Sequence, residues 1–173
     1  AAPPPGPVWD AFFVRAVALA LGRFERFRCR WEDESLQPVN TDAVGVAVDL
    51  DDELFVIAIA AAATKSVAQI SQEIRDGVAR LRSGEQEARR LRPAWMTVTN
   101  LGSCDVERFA PIINPPEPAI LGVGKVARTP AVQDDDRVVV QYRGALTLCV
   151  DHRVASGKYA ARFLGAIVEE LEK

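Results

Sequence analysis

One histidine, three scattered cysteines and no surplus of positive charge mark what this 173-residue chain has little of. A zinc site needs several His or Cys ligands at short spacing. His152 stands alone, and Cys29, Cys104 and Cys149 form no C-x-x-C pair, so no metal centre is expected. An odd, dispersed set of cysteines makes no disulfide framework and fits a reducing cytoplasm. Lys+Arg 21 against Asp+Glu 24 gives net −3, which argues against nucleic acid as a partner. No apolar run approaches the ~20 residues that span a bilayer. The longest, Val14 to Leu21, is interrupted by Arg15. The opening Ala-Ala-Pro-Pro-Pro-Gly-Pro carries no secretory signal.

What is present suits a single packed domain. Hydrophobic residues make up 49% and charged residues 26%, both near the globular norm. Residues 1–7 read as the proline-rich end of a linker, with the domain at 8–173. From Val8 to Phe27 apolar residues fall on nearly every helical face, as in a buried or subunit-sharing helix. Ala43–Leu50 and Leu54–Ala60 read as strands flanking an Asp51-Asp52 turn. The second is apolar throughout, so it is expected to be covered on both faces. Ser66-Val67-Ala68-Gln69 has the form of a capping box, followed by Ile70, Ile74, Val78 and Leu81 at helical spacing. Residues 83–92 are polar and expected to be solvated. Strands are expected at Trp95–Thr99, Ala119–Val126, Arg137–Tyr142 and Ala145–Val150, and a closing amphipathic helix at Ala160–Leu171. The class is mixed α/β, a two-layer sandwich with one sheet covered by helices.

Few residues stand out chemically. His152 directly follows an apolar strand, where rigid scaffolds present functional side chains. Imidazole is the side chain suited to take a proton from a thiol or hydroxyl near neutral pH. Thr97 and Thr99 alternate with Val98, so both hydroxyls face one side of a strand, and one is a candidate donor to an oxyanion. Gly122-Val123-Gly124-Lys125 lacks the spacing of a phosphate loop; glycines within a strand mark close packing or a bend. The cysteines are expected as small core residues.

Three segments together resemble one family. Met96-Thr97-Val98-Thr99-Asn100-Leu101-Gly102 is similar to F-T-I-S-N-L-G. Ile112-Ile113-Asn114-Pro115-Pro116 with Ala119-Ile120-Leu121-Gly122-Val123-Gly124 resembles I-I-N-P-P-Q-x-x-I-L-A-V-G. Asp151-His152-Arg153-Val154-Ala155-Ser156-Gly157 is similar to D-H-R-x-x-D-G. These are signatures of the catalytic domain of dihydrolipoamide acyltransferases of 2-oxoacid dehydrogenase complexes. Weaker likeness covers Gly45–Asp49, Lys65-Ser66 and Phe13–Arg28.

The resemblance implies a chloramphenicol-acetyltransferase-like fold and a homotrimer with active sites at subunit interfaces. It implies His152 as general base and Thr99 as oxyanion donor, with Ser156 at the position that orders the catalytic loop. Asn100, Gly102, Arg153 and Gly157 follow as substrate-binding positions. Coenzyme A is the implied co-substrate, and no cofactor is expected to be tightly bound. The acyl group rides on a lipoyl group of another domain or chain, because Lys65, in Thr-Lys-Ser, resembles no lipoyl hairpin. Other components of the dehydrogenase complex are the implied partners. Three features depart from the family pattern. Ser156 stands where the family has an acid or Asn, the chain begins at the first long helix without the family's earlier helix and strand, and it ends without an apolar tail, which implies an isolated trimer. The same resemblance leaves open a catalytically inactive, trimeric scaffold subunit, and an acyltransferase serving a free small-molecule acceptor.

Overall fold

The computed structural model describes residues 8–50 and 52–173. The proline-rich segment at 1–7, and Asp51 of the acidic pair, lie outside the described residues. The described residues form three α-helices: α1 (Trp9–Leu21), α2 (Val67–Arg82) and α3 (Gly157–Leu171). Nine strands follow in chain order: β1 (Cys29–Glu32), β2 (Ser35–Pro38), β3 (Val44–Leu50), β4 (Glu53–Ile59), β5 (Thr97–Asn100), β6 (Ala119–Val123), β7 (Ala127–Val132), β8 (Val138–Arg143) and β9 (Leu146–Val150). Five of them form the central sheet in the order β4-β3-β5-β6-β9; β1-β2 and β7-β8 are separate hairpins. The β3/β5 and β5/β6 pairs are parallel, and the outer pairs are antiparallel. The mixed sheet with helices is the expected α/β sandwich.

Register divides the sheet into two unlike faces, because successive side chains point to opposite sides. One row runs Val46–Val98–Leu121–Leu148 and joins the helices in the core. The neighbouring row, Gly45–Thr97–Ile120–Cys149, lies on the other face, as does Thr99–Gly122–Thr147. Segment 105–117 crosses that second face. A Cβ on Gly122 would lie 2.9 Å from Pro111, and one on Gly124 only 2.0 Å from the Glu107 carbonyl oxygen. These strand glycines thus serve close packing, as expected.

Each helix has a distinct cause. The α1 N-terminus has no side-chain cap, and the helix is held by burial of Ala11, Phe13, Val14, Ala16, Val17, Ala18, Ala20 and Leu21. In α2 the Ser66 hydroxyl accepts from the Gln69 amide and the Gln69 side chain reaches back to Ser66 N–H, completing the capping box. Behind α1, Phe24 and Phe27 stack against Tyr159 and Phe163 of α3 with centroids 4.5–5.6 Å apart.

Several expectations need correction. The first helix ends at Leu21, not near Phe27; after Gly22 the chain turns through a 3-10 segment, Glu25–Arg28, that sends Phe27 into the core. The β4 strand is an edge strand, not one covered on both faces, and Leu54 is 70% exposed. The Ala119–Val126 strand stops at Val123, where the Gly124 and Lys125 amides bond to the Ala145 and Val106 carbonyls, and β7 starts separately at Ala127. The β1-β2 hairpin was not expected. Its two-residue turn, Asp33-Glu34, has both φ values positive (48° and 55°), a shape usually given to Asn and Gly. The cysteines are not core residues: Cys104 is exposed, and Cys29 and Cys149 are half-buried. Residues 83–92 are solvated turns tied by ion pairs such as Arg80–Glu85 and Arg90–Glu87. No described helix is long and apolar enough to cross a membrane. No cluster of three or more metal-ligating side chains occurs among the described residues.

Candidate active site

His152 sits on the turn between β9 and α3. Its ring is exposed and makes no hydrogen bond or ion pair among the described residues. The turn around it is firmly built. The Asp151 N–H donates to the Pro118 carbonyl (2.8 Å), and the Asp151 carbonyl accepts from Val154 and Ala155 N–H (2.9 and 3.1 Å). The Asp151 carboxylate accepts from the Arg153 backbone N–H and, in bidentate fashion, from its guanidinium at 2.7–3.2 Å. The Arg153 guanidinium beside it holds the Asp151 carboxyl below the usual carboxylate range. Arg153 therefore braces the turn.

Ser156 is the N-cap of α3, its hydroxyl accepting from the Tyr159 N–H at 3.4 Å. Ser, Asp and Asn are interchangeable as strong N-caps. The hydroxyl thus keeps the helix start that an acid at this position would also cap. Gly157 opens α3 with open space around its Cα, so nothing there requires glycine.

At the other end of the sheet, Thr99 is half-buried and its hydroxyl has no partner among the described residues, leaving it available as a donor. Thr97 is 1% exposed, and its hydroxyl is already engaged, donating to Glu117 Oε1 at 2.9 Å. Of the two threonines, only Thr97 thus has its hydroxyl engaged among the described residues. Asn100 acts as a clamp: its Nδ2 donates to Asp10 at 2.8 Å and its Oδ1 accepts from Gly102 N–H at 2.9 Å. Burial pushes the Asp10 carboxyl up, and the Asn100 hydrogen bond offsets part of that rise. A Cβ on Gly102 would lie 3.1 Å from Asn100 Oδ1 and from the Gly124 carbonyl, a tight approach that a side chain would crowd. Asp10, Asn100 and Gly102 border an open groove with Val8, Trp9, Ser103 and Val126.

Within one chain the two ends do not meet. Asp151 lies level with Pro118 and Thr99 level with Gly122, four residues further along β6. At ~3.3 Å per residue and ~4.8 Å per strand, His152 and Thr99 are separated by roughly 15 Å or more. A base and an oxyanion donor acting on one carbonyl must both lie within about 3 Å of the reacting atoms.

Residues 9–173 match the family described as 2-oxoacid dehydrogenases acyltransferase (catalytic domain). The chain belongs to that family. It is 34% identical over 162 residues to the lipoamide acyltransferase component of the branched-chain alpha-keto acid dehydrogenase complex of Bacillus subtilis, covering 94% of this chain and 38% of that protein. The chain therefore spans well under half of that relative's length. The crystal structure of a probable dihydrolipoamide acetyltransferase from Listeria monocytogenes superposes with TM-score 0.89 at 31% identity, covering 95% of this chain and 70% of that one. Chloramphenicol acetyltransferase shares the fold at TM-score 0.53 and 11% identity, covering 95% of this chain and 78% of that one.

The buried acid that the sequence reading did not single out is Glu117. It is 8% exposed, and burial pushes its carboxyl up to about 7, against the lowering effects of Thr97 and Asn114. The signal was available in the family pattern, which has Gln where Glu117 stands.

Proposed function

We propose that this domain transfers an acyl group between dihydrolipoamide and coenzyme A, at sites each shared by two copies of the chain. The observation that carries this reading is the separation of His152 from Thr99 at opposite ends of one sheet. Neither end is a complete site, and a second copy supplies the missing half.

The thiol of coenzyme A gives its proton to His152, and the resulting thiolate attacks the carbonyl carbon of S-acyl dihydrolipoamide. Thr99 of the neighbouring copy donates its hydroxyl hydrogen bond to the tetrahedral oxyanion. Collapse breaks the bond between carbon and the dihydrolipoamide sulfur, which takes the proton back from His152. The lipoyl group comes from another domain or chain, and no tightly bound cofactor takes part.

Exposed apolar surface supports the assembly. The outward face of the β7-β8 hairpin carries Pro130, Val132, Val138, Val140 and Tyr142, and Ile112 of the segment crossing the sheet is 90% exposed. Contiguous apolar surface of this kind marks protein contacts. The assembly is a homotrimer.

The test is acyl transfer from acetyl-coenzyme A to free dihydrolipoamide, with sedimentation on the same samples. His152→Ala is expected to lower turnover by ~10²–10⁴-fold while leaving the trimer intact. Unchanged turnover in the variant, or a monomeric wild type that is fully active, overturns the reading. No turnover from a folded trimer favours a scaffold subunit instead.

A further inference from the structure

In Pro115-Pro116-Glu117-Pro118 only Glu117 has a backbone N–H to donate. That group is used locally, donating to the Asn114 carbonyl at 2.9 Å. Ahead of β6, then, this segment is tied to the sheet chiefly by a side chain, the Glu117 carboxyl accepting from the Thr97 hydroxyl of β5. The same segment supports the turn that carries His152, because the Pro118 carbonyl receives the Asp151 N–H. Gly45 on β3 makes room for this link: a Cβ there would lie 2.6 Å from Thr97 Oγ1.

The carboxyl is only half satisfied. Oε1 holds Thr97, while Oε2 is buried with no hydrogen bond. A neutral acid tolerates that burial better than a carboxylate, because the cost of desolvating the charge exceeds what the Thr97 and Asn114 hydrogen bonds return. The cations nearby are committed elsewhere. Glu117 borders a groove with Arg30 of β1 and Arg92 of the connection to β5, but Arg30 pairs with Glu32 and Arg92 with Glu87. On the turn, Asp151 and Arg153 neutralise each other. On the same face of β9 stands the Cys149 thiol, and Asn114 is the polar group within the loop.

We propose that Glu117 is a positioning residue for His152, acting through the Pro118–Asp151 hydrogen bond, and that only its neutral form holds the turn. Ionisation draws the carboxylate out toward solvent in the groove, loosens residues 114–118 and displaces the His152 turn. Acyl transfer then weakens as pH rises, for a reason separate from the base itself. Burial of Glu117 places this transition near neutral pH, since its carboxyl is pushed up to about 7. The inference rests on the function proposed above, so its test includes a readout independent of turnover.

The comparison is wild type against Glu117→Gln, whose amide keeps the shape and cannot ionise, with Glu117→Ala as the truncation. Turnover and hydrogen exchange of the peptide covering residues 146–156 are followed from about pH 5.5 to about pH 8.5, across the window in which a carboxyl of this kind titrates. The Gln variant is expected to track wild type at the acid end and to exceed it by about tenfold at the alkaline end, a part of the ~10²-fold that a displacement of about 1 Å costs. Exchange in the 146–156 peptide is expected to be faster in wild type than in the Gln variant only at the alkaline end. Glu117→Ala is expected to be slow in turnover and fast in exchange at every pH. Superposable pH profiles and a constant exchange ratio for wild type and Glu117→Gln overturn the proposal. Absence of turnover in all three proteins, with the exchange difference as expected, removes the proposed function and leaves the Glu117 linkage standing.

Discussion

The two faces of the central sheet are made from alternate residues of the same strands, yet one is closed and the other is furnished with polar groups. Facing the helices, Val46, Val98 and Leu121 are buried among aliphatic neighbours with no polar group to satisfy. Facing away, Thr97, Thr99, Thr147 and Cys149 alternate with Gly45 and Gly122, and segment 105–117 lies across them. A one-residue slip in register would exchange the two sets. Packing on the apolar face therefore fixes where every hydroxyl on the polar face stands. Stability and chemistry are carried by different residues but set by one register.

Substitutions that separate the two faces test this division. The largest effect is expected from Phe163→Ala on the helix side, where the ring is fully buried against Phe24 and Phe27. It should cost ~3–5 kcal/mol in urea unfolding, with the activity per folded molecule retained. On the opposite face, Thr99→Ala should cost ~10²–10³-fold in turnover with little change in unfolding midpoint, and Thr99→Ser should restore most of it. Equal losses of stability from these two substitutions would erase the distinction.

Glu117 links both sides and should make stability depend on pH. Its folded carboxyl sits near 7, above the ordinary value of 4.5, so the native state holds the proton more tightly than the unfolded chain. Its contribution is full at acid pH, falls as pH rises from about 4.5 to about 7, and is flat beyond. The loss should be on the order of 1–3 kcal/mol relative to Glu117→Gln, read from denaturant midpoints across that window. The smallest effect belongs to Ser156. Ser156→Ala should destabilise by ~1 kcal/mol through loss of the α3 cap, whereas Ser156→Asp should keep the cap. Thermal melts of the two variants distinguish a capping role from none.

How much of this was legible beforehand varies with how local the cause is. The α2 helix was readable because Ser66, Gln69 and the Ile70, Ile74, Leu81 stripe are all neighbours in sequence. The β1-β2 hairpin was not, because Asp33 and Glu34 adopt positive φ without the residues that usually announce it. The all-apolar β4 suggested cover on both faces, although it closes one edge of the sheet and starts exposed; its composition does not encode where cover ends. His152, Thr99 and Asn100 came from motif likeness. Which of Thr97 and Thr99 has a free hydroxyl required the contact with Glu117, twenty residues away in sequence. The burial of Glu117 is stated by no local periodicity; only the Gln of the family pattern at that position hinted at an uncharged group.

The placement of His152 and Thr99 at opposite ends of the sheet has a genetic consequence. On the shared site proposed above, a chain carrying His152→Ala still offers an intact threonine, and a chain carrying Thr99→Ala still offers an intact histidine. Two null alleles, each dead alone, should complement when expressed together. In randomly mixed trimers about one site in four then joins the two sound halves.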